Sequence, residues 1–426
     1  MAEAQLSRIL PKLHWRLMPT LLMMYVLAFL DRANIGFARA GFEADAGIGD
    51  AAFAFGASVF FIGYALLEVP SNLILHRVGA RLWLSRIMVT WGLVSAATAF
   101  VHSPAVFYAV RFLLGIAEAG FFPGVIFYLT YWYPESARGR SVGLFYYGAP
   151  LALTFGSPLS GVLVAHDALG LHGWQVMFIA EGLLASLGGI AVLFLLKDGP
   201  LHASWLDAQE KKTLNAALTE GESRREHLSV WRALRDGRVL FLALVYFLVE
   251  MGFYGLTFYL PSQVARLMGK TIGLEVGLVS ALPWACAIIA VTLVPKWCDL
   301  RGNARGIGAL ATAVSGLGLL VSAVATSPWI AVIALCVAAA GLIVSPALFW
   351  TLPTRIFSGA AAAGTIALIN SIGNLGGFVA PNLRAWLDIS LGSHSAGLMG
   401  LALVTTLGAG FFAAAPRSAT SGGNGR

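Results

Sequence analysis

The sequence predicts an all-α membrane protein, with about twelve transmembrane helices arranged as two six-helix bundles. Composition is the first ground: 58% of the 426 residues are hydrophobic and only 12% charged, whereas soluble domains are about a quarter charged. Mean hydropathy is +0.78. Length is the second: apolar runs of roughly twenty residues, enough to cross a bilayer as a helix, recur along almost the whole chain. The placement of charge is the third. Read in order, roughly 22 of the 28 Lys and Arg fall in loops and termini on one side, which the positive-inside rule makes cytoplasmic. That side carries Arg8, Lys12 and Arg16, then Arg77, Arg81, Arg86, Arg138 and Arg140, the basic residues of 197–238, and later Lys296, Arg301, Arg305 and Arg355. The opposite loops hold Arg39, Arg266, Lys270 and Arg384. Both termini are therefore expected in the cytoplasm. The formal charge of +7 reads as topology and not as a nucleic-acid footprint, since no basic-aromatic surface module accompanies it.

The expected spans are 15–37, 52–75, 82–101, 105–131, 141–165, 174–196, 239–262, 274–295, 306–326, 328–352, 362–387 and 395–415. The first is long and no small-residue cleavage site follows it, so it reads as a retained signal-anchor. Asp31–Arg32 interrupts it, and Arg111 and Glu118 interrupt the fourth. The fifth offers few side-chain donors from Tyr146 to Phe155 beyond its tyrosines and Thr154. Between the sixth and seventh lies one long polar stretch, 197–238. Leu206, Leu214 and Leu218 among its charges fit an amphipathic helix over 205–218, lying on the membrane surface. This linker separates an N-terminal bundle (1–196) from a C-terminal one (239–426), as in duplicated transporter folds. The second and eighth spans end in similar short basic loops, His76-Arg77-Val78-Gly79-Ala80-Arg81 and Asp299-Leu300-Arg301-Gly302-Asn303-Ala304-Arg305. The seventh span carries Glu250 and the aromatic set Phe253, Tyr254, Phe258 and Tyr259. The eleventh carries Asn370, Ser371 and Asn374, with glycines that let membrane helices approach closely. Cys286, Cys298 and Cys336 suggest neither a disulfide framework nor a metal cluster, and the histidines lack metal-ligand spacing.

The interrupting charges carry the functional signal. A charge in hydrocarbon costs about 2.5 to 3.5 kcal/mol on insertion scales, so it normally marks a pathway or a proton relay. Two cations and two acids suggest movement of an anion together with protons. Running outward from Trp15, the first span puts Asp31 about 24 Å along its axis. The fourth runs inward from Pro104 and puts Arg111 roughly 10 Å below the outer surface. Both fall in the outer half of a core about 30 Å thick. Glu118, two turns further along the Arg111 face, lies near the midplane. Arg111 can favour an ionised Asp31 or Glu118 while desolvation favours the protonated acid, which suits proton coupling. A permanent ion pair bracing spans 1 and 4 is the alternative. Arg32 faces about 100° away from Asp31, and its planar fork matches a carboxylate, unless it snorkels to the outer surface.

Several segments carry a family resemblance: Leu30-Asp31-Arg32-Ala33-Asn34-Ile35-Gly36, Gly115-Ile116-Ala117-Glu118-Ala119-Gly120, Tyr128-Leu129-Thr130-Tyr131-Trp132-Tyr133-Pro134, Gly173-Trp174-Gln175 and Met177-Phe178-Ile179-Ala180-Glu181-Gly182. Over essentially its full length the chain resembles the major facilitator superfamily, within it the anion:cation symporter branch. His76 stands where that family usually has Asp. The resemblance implies secondary transport of an organic acid anion, usually in symport with protons. It makes Arg32 the candidate for the substrate carboxylate, with Asp31, Arg111 and Glu118 as the coupling network. Tyr64 matches a family position associated with the substrate cavity, and its hydroxyl can donate; aromatic packing is its other reading. Asn370 and Asn374, at i and i+4, can face one cavity or serve as interhelical glue. Glu68 and Glu181 read as structural.

The expectation is thus a proton-coupled importer of a small organic carboxylate, working by alternating access in the inner (plasma) membrane, as a monomer and without a cofactor. The sparse donors of span 5 tilt the substrate toward a less hydroxylated acid. Efflux or exchange of such an acid is the alternative, then a transport-dead sensor. An enzyme is disfavoured: no nucleophile–base pair, metal cluster or phosphate loop is legible.

Overall fold

A computed structural model describes residues 2–222, 235–356 and 360–416. The charged segment 223–234 of the linker lies outside the described residues. The chain divides into two compact units, Met1–Arg225 with Thr271–Ala281, and Glu226–Lys270 with Leu282–Arg426.

Unit 1 holds α1 (Ala2–Ala33), α2 (Ile35–Ala46), α3 (Asp50–Val78), α4 (Ala80–Ala97), α5 (Pro104–Glu118), α6 (Phe121–Thr130), α7 (Glu135–Tyr146), α8 (Gly148–Val164), α9 (Gly173–Leu195) and α10 (Ala208–Glu222). Unit 2 is built from α11 (Gly237–Thr257), α12 (Leu260–Met268), α13 (Leu274–Arg301, which begins in unit 1), α14 (Ala304–Val324), α15 (Pro328–Phe349), α16 (Thr351–Ile356), α17 (Ala360–Asn374), α18 (Gly376–Ser390) and α19 (Ala396–Ala413). Eleven helices among the described residues are long and apolar enough to cross a membrane, and their centres coincide with eleven of the expected spans.

Several expected elements differ in form. The eleventh span is two helices, α17 and α18, meeting at Leu375. The joint falls among Gly373, Gly376 and Gly377, and glycines are common sites of helix kinks. Asn374 adds to it by donating its side-chain amide to the carbonyl of Asn370, at 3.0 Å. The first span is the middle of a longer rod, Leu6–Ala46, about 60 Å at 1.5 Å per residue and so twice the hydrocarbon thickness. Its N-terminal end packs against protein, with Ile9 and Leu13 fully buried. The amphipathic helix is α10, opened by a reciprocal cap in which Glu210 and Asp207 each accept the other's backbone N–H. Leu206 and Leu214 are buried within the protein, and Lys12 of α1 pairs with Glu210. These leucines cover protein, not lipid as the amphipathic pattern suggested.

The fourth span is also divided, and here the break positions the site. Helix α5 stops at Glu118, and α6 starts at Phe121. Gly120 between them sits at φ +84°, with its α-carbon so close to α3 that a Cβ would lie 2.4 Å from the Ser71 hydroxyl. Only glycine combines that backbone with that approach. One turn before, Gly115 packs directly on α3: a Cβ there would sit 2.0 Å from the Phe60 carbonyl oxygen. Bare backbone contact of this kind is how small residues bring membrane helices together. It sets Arg111 and Glu118 of α5 beside Phe60 and Tyr64 of α3.

In unit 2 the core gathers Val239, Leu242, Tyr246, Val249, Phe349 and Phe412, with Tyr246 stacked on Phe349 at 5.1 Å. Arg384, counted above with the outer loops, is instead buried in α18. It donates to the Gly255 carbonyl and to Gln263, both at 3.2 Å, with its guanidinium 4.3 Å from the Tyr259 ring.

Candidate substrate and proton site

Arg32 closes the last turn of α1 and reaches Glu118 at the end of α5. Its Nη2 stands 2.5 Å from Glu118 Oε1, and its Nε donates to the same oxygen at 2.8 Å. Glu118 Oε2 is buried with no hydrogen-bond partner. Three rings surround the guanidinium, those of Phe29, Phe60 and Tyr64, each 5.3 Å from its central carbon. Residue spacing explains the box. Phe29 is one turn before Arg32 on α1, while Phe60 and Tyr64 are i and i+4 on α3, so each pair shares a helix face. Glu118 is fully buried, whereas the Arg32 side chain keeps 11% of its surface exposed. A ligand can therefore reach the cation but not the acid behind it.

Asp31 points elsewhere, as the turn of about 100° between helix neighbours requires. It accepts a hydrogen bond from the Ser95 hydroxyl of α4, and its Oδ2 is buried without a partner. Arg111 is likewise buried. Its Nη2 donates to the Ala57 carbonyl at 3.4 Å, its guanidinium lies 5.3 Å from the Phe60 ring, and its Nε and Nη1 have no hydrogen-bond partner. Among the described residues no carboxylate lies within 4.0 Å of Arg111. The Asp31–Arg111 brace considered from depth alone is thus not a direct pair. The acid in contact with a cation is Glu118, and the cation is Arg32. Arg111 acts on both acids only across space.

The remaining candidates separate. Tyr64 is part of the Arg32 box and is almost fully buried. Asn370 and Asn374 lie on α17 of unit 2, the first buried and the second half-buried. On α8, the hydroxyls of Thr154 and Ser157 donate to the carbonyls of Pro150 and Leu153 at 2.7 and 2.6 Å, so their protons are already committed.

Sequence reasoning missed four participants: Ser95, Phe29, Phe60, and the contact of Asn34 with Glu181. Phe29 and Phe60 could have been found by their i+3 and i+4 spacing from Arg32 and Tyr64. Asn34 stands one turn from Asp31 within a segment already singled out. Ser95 had no signal, because nothing in a run of small residues tells which one faces α1.

The sequence profile of the Major Facilitator Superfamily matches residues 21–381. The chain is a member of the major facilitator superfamily. It is 44% identical over 409 residues to the inner membrane transport protein RhmT of Escherichia coli, covering 96% of this chain and 95% of that one. It is equally 44% identical over 409 residues to a protein of Agrobacterium vitis named "Putative tartrate transporter", covering 94% and 90%. A quinolone resistance transporter of Acinetobacter baumannii is 42% identical over 398 residues, covering 92% of each. The fold matches that of a bacterial Spinster homologue in an inward-facing, occupied conformation, with TM-score 0.73 at 15% identity over 94% of this chain and 96% of that one. It also matches an E. coli xylose transporter, with TM-score 0.71 at 17% identity over 93% and 96%. This member of the superfamily is a multi-pass membrane transporter of small organic compounds, not an enzyme, and its relatives agree with the organic-acid permease branch.

In such a transporter the Arg32–Glu118 contact has a specific chemical consequence. While Glu118 is ionised it holds Arg32, whose side chain is partly exposed. A proton on Glu118 removes its charge and releases the Arg32 fork, which matches a carboxylate in shape and charge.

Proposed function

We propose that the protein imports a small organic carboxylate together with protons, by alternating access in the inner membrane, with both termini cytoplasmic and as a monomer. The single observation that carries this reading is the Arg32–Glu118 ion pair, a reachable cation held by an unreachable acid. Proton and substrate carboxylate are then linked by competition: the anion takes Arg32 only when a proton has taken Glu118. Asp31 and Arg111 tune that exchange from either side. Arg32 and Tyr64 are the proposed substrate contacts in unit 1, while Asn370 and Asn374 of α17 are proposed as further polar contacts. The chain is proposed to work as two bundles, 1–196 and 239–426, joined by 197–238. Aromatic walls around Arg32 and committed hydroxyls on α8 favour an acid with a flat or apolar body and few hydroxyls.

The test is uptake of labelled mono- and dicarboxylates into proteoliposomes under an imposed pH gradient, inside alkaline. Accumulation above the equilibrium level that collapses with the gradient supports proton symport. Uptake indifferent to the gradient, for every acid tried, removes it.

A second reading is export or exchange of an organic acid. It is favoured by the likeness to the quinolone resistance transporter. Resistance of cells expressing the protein, with no gradient-driven carboxylate uptake in vesicles, would select it.

A further inference from the structure

The coupling scheme above uses Asp31 and Glu118, but a third carboxylate is buried close by. Glu181 of α9 has almost no exposed surface. Its Oε1 accepts from the Ser160 hydroxyl of α8 at 2.7 Å, and its Oε2 from the Asn34 amide at 3.0 Å. Both donors are neutral. Among the described residues no Lys, Arg or His nitrogen lies within 4.0 Å of it.

The elements packed on α9 bring no compensating charge. On α2, Arg39 pairs with Asp50, Asp45 accepts from the Trp174 indole, and Glu43 is exposed. On α4, Arg81 faces Asp198 and Arg86 lies over the Trp83 ring. Helix α8 carries no ionisable side chain. On α1, Arg32 is turned to Glu118, and the group that acts on Glu181 is another acid, Asp31.

We infer that Glu181 is a neutral carboxylic acid, the resident holder of a proton beside Asp31. Two neighbouring buried carboxylates cannot both be ionised cheaply. Neither Arg32, which is turned to Glu118, nor Arg111, which donates to the Ala57 carbonyl, gives Glu181 a compensating charge. Its pocket suits the acid. Serine hydroxyls both donate and accept, and the Asn34 amide can present either end. The accepting end, Oδ1, is buried without a partner, so a turn of the amide lets it accept from the protonated acid. Asn34 stands one turn from Asp31 on the same face, which links the stored proton to the acid of the coupling network. This assignment concerns a protonation state and stands whichever way the transporter runs.

The experiment is infrared spectroscopy of the full-length protein in lipid nanodiscs at neutral pH, comparing wild type with Glu181→Gln and Ser160→Ala. Wild type should show a protonated-carboxyl C=O band that is missing in Glu181→Gln and shifted in Ser160→Ala. Thermal unfolding of Glu181→Gln should match wild type, because glutamine is a neutral isostere that keeps both partners. No lost band in a folded Glu181→Gln, or a lost band that Ser160→Ala leaves in place, would overturn the assignment. A Glu181→Gln protein that fails to fold would also overturn it, since that would mean the negative charge was required.

Discussion

Arg32→Lys separates charge from shape at the centre of the site. Arginine touches Glu118 Oε1 through two nitrogens, at 2.5 and 2.8 Å, inside a box of three rings at 5.3 Å. Lysine keeps the positive charge but offers a single ammonium and no planar fork. A substrate carboxylate therefore loses one of two charge-assisted hydrogen bonds, worth about 1.5 to 3 kcal/mol, or roughly a ten- to hundredfold loss of affinity. The pair with Glu118 survives in part, so thermal stability should fall less than affinity. Arg32→Gln should behave differently, since it leaves Glu118 buried with no cation, a loss of about 3 to 5 kcal/mol. Substrate-dependent thermal shift and counterflow in proteoliposomes read affinity and binding competence, and unfolding without substrate reads stability. A folded Arg32→Lys protein with wild-type affinity would refute recognition by the fork and leave Arg32 a structural cation.

Other expectations follow from the same contacts. Gly115→Ala drives a methyl to 2.0 Å from the Phe60 carbonyl; such overpacking costs about 1 to 3 kcal/mol or more, visible as a lower unfolding temperature and lost substrate binding. Exchanging Asp31 and Arg111 (Asp31→Arg with Arg111→Asp) should restore neither stability nor transport, because the two are not in direct contact; recovery of wild-type unfolding and uptake would contradict the geometry. Exchanging Arg32 and Glu118 should recover much of the stability lost by either single reversal while abolishing counterflow, since an acid would then face the ligand. Docking of α10 should depend on Leu214 and hardly on its ion pair: Leu214→Ala should cost about 2 to 5 kcal/mol, and Lys12→Ala no more than about 1 kcal/mol, compared by thermal unfolding.

Much of the fold was legible because lipid imposes one rule, a helix long and apolar enough to span. Spans such as 52–75 and 174–196 therefore match α3 and α9 with only small shifts at their ends. The breaks at Ala119–Gly120 and Leu375 were not legible. Hydropathy averages over a window, and glycine is too common in membrane helices to mark where one stops. Depth along each helix could be computed from the rise per residue. Rotation between helices could not. Depth alone suggested Asp31 against Arg111, whereas the Gly63 and Gly115 contact between α3 and α5 helps set which faces meet and leaves Arg32 on Glu118. Spacing within one helix, as for Phe29 with Arg32, was readable from sequence. The Asn34–Glu181–Ser160 set was not, because it draws on three helices whose packing no local pattern records.

The central claim is that a proton on Glu118 frees Arg32 to take the substrate anion. Its most direct test is Glu118→Gln, assayed for pH-gradient-driven accumulation and for counterflow in the same proteoliposomes. Glutamine imitates the protonated acid, so Arg32 stays available and substrate exchange should persist. Accumulation driven by the gradient should be lost, because no proton can be released from that position. Accumulation by Glu118→Gln at the wild-type level would contradict the account and remove Glu118 from the coupling.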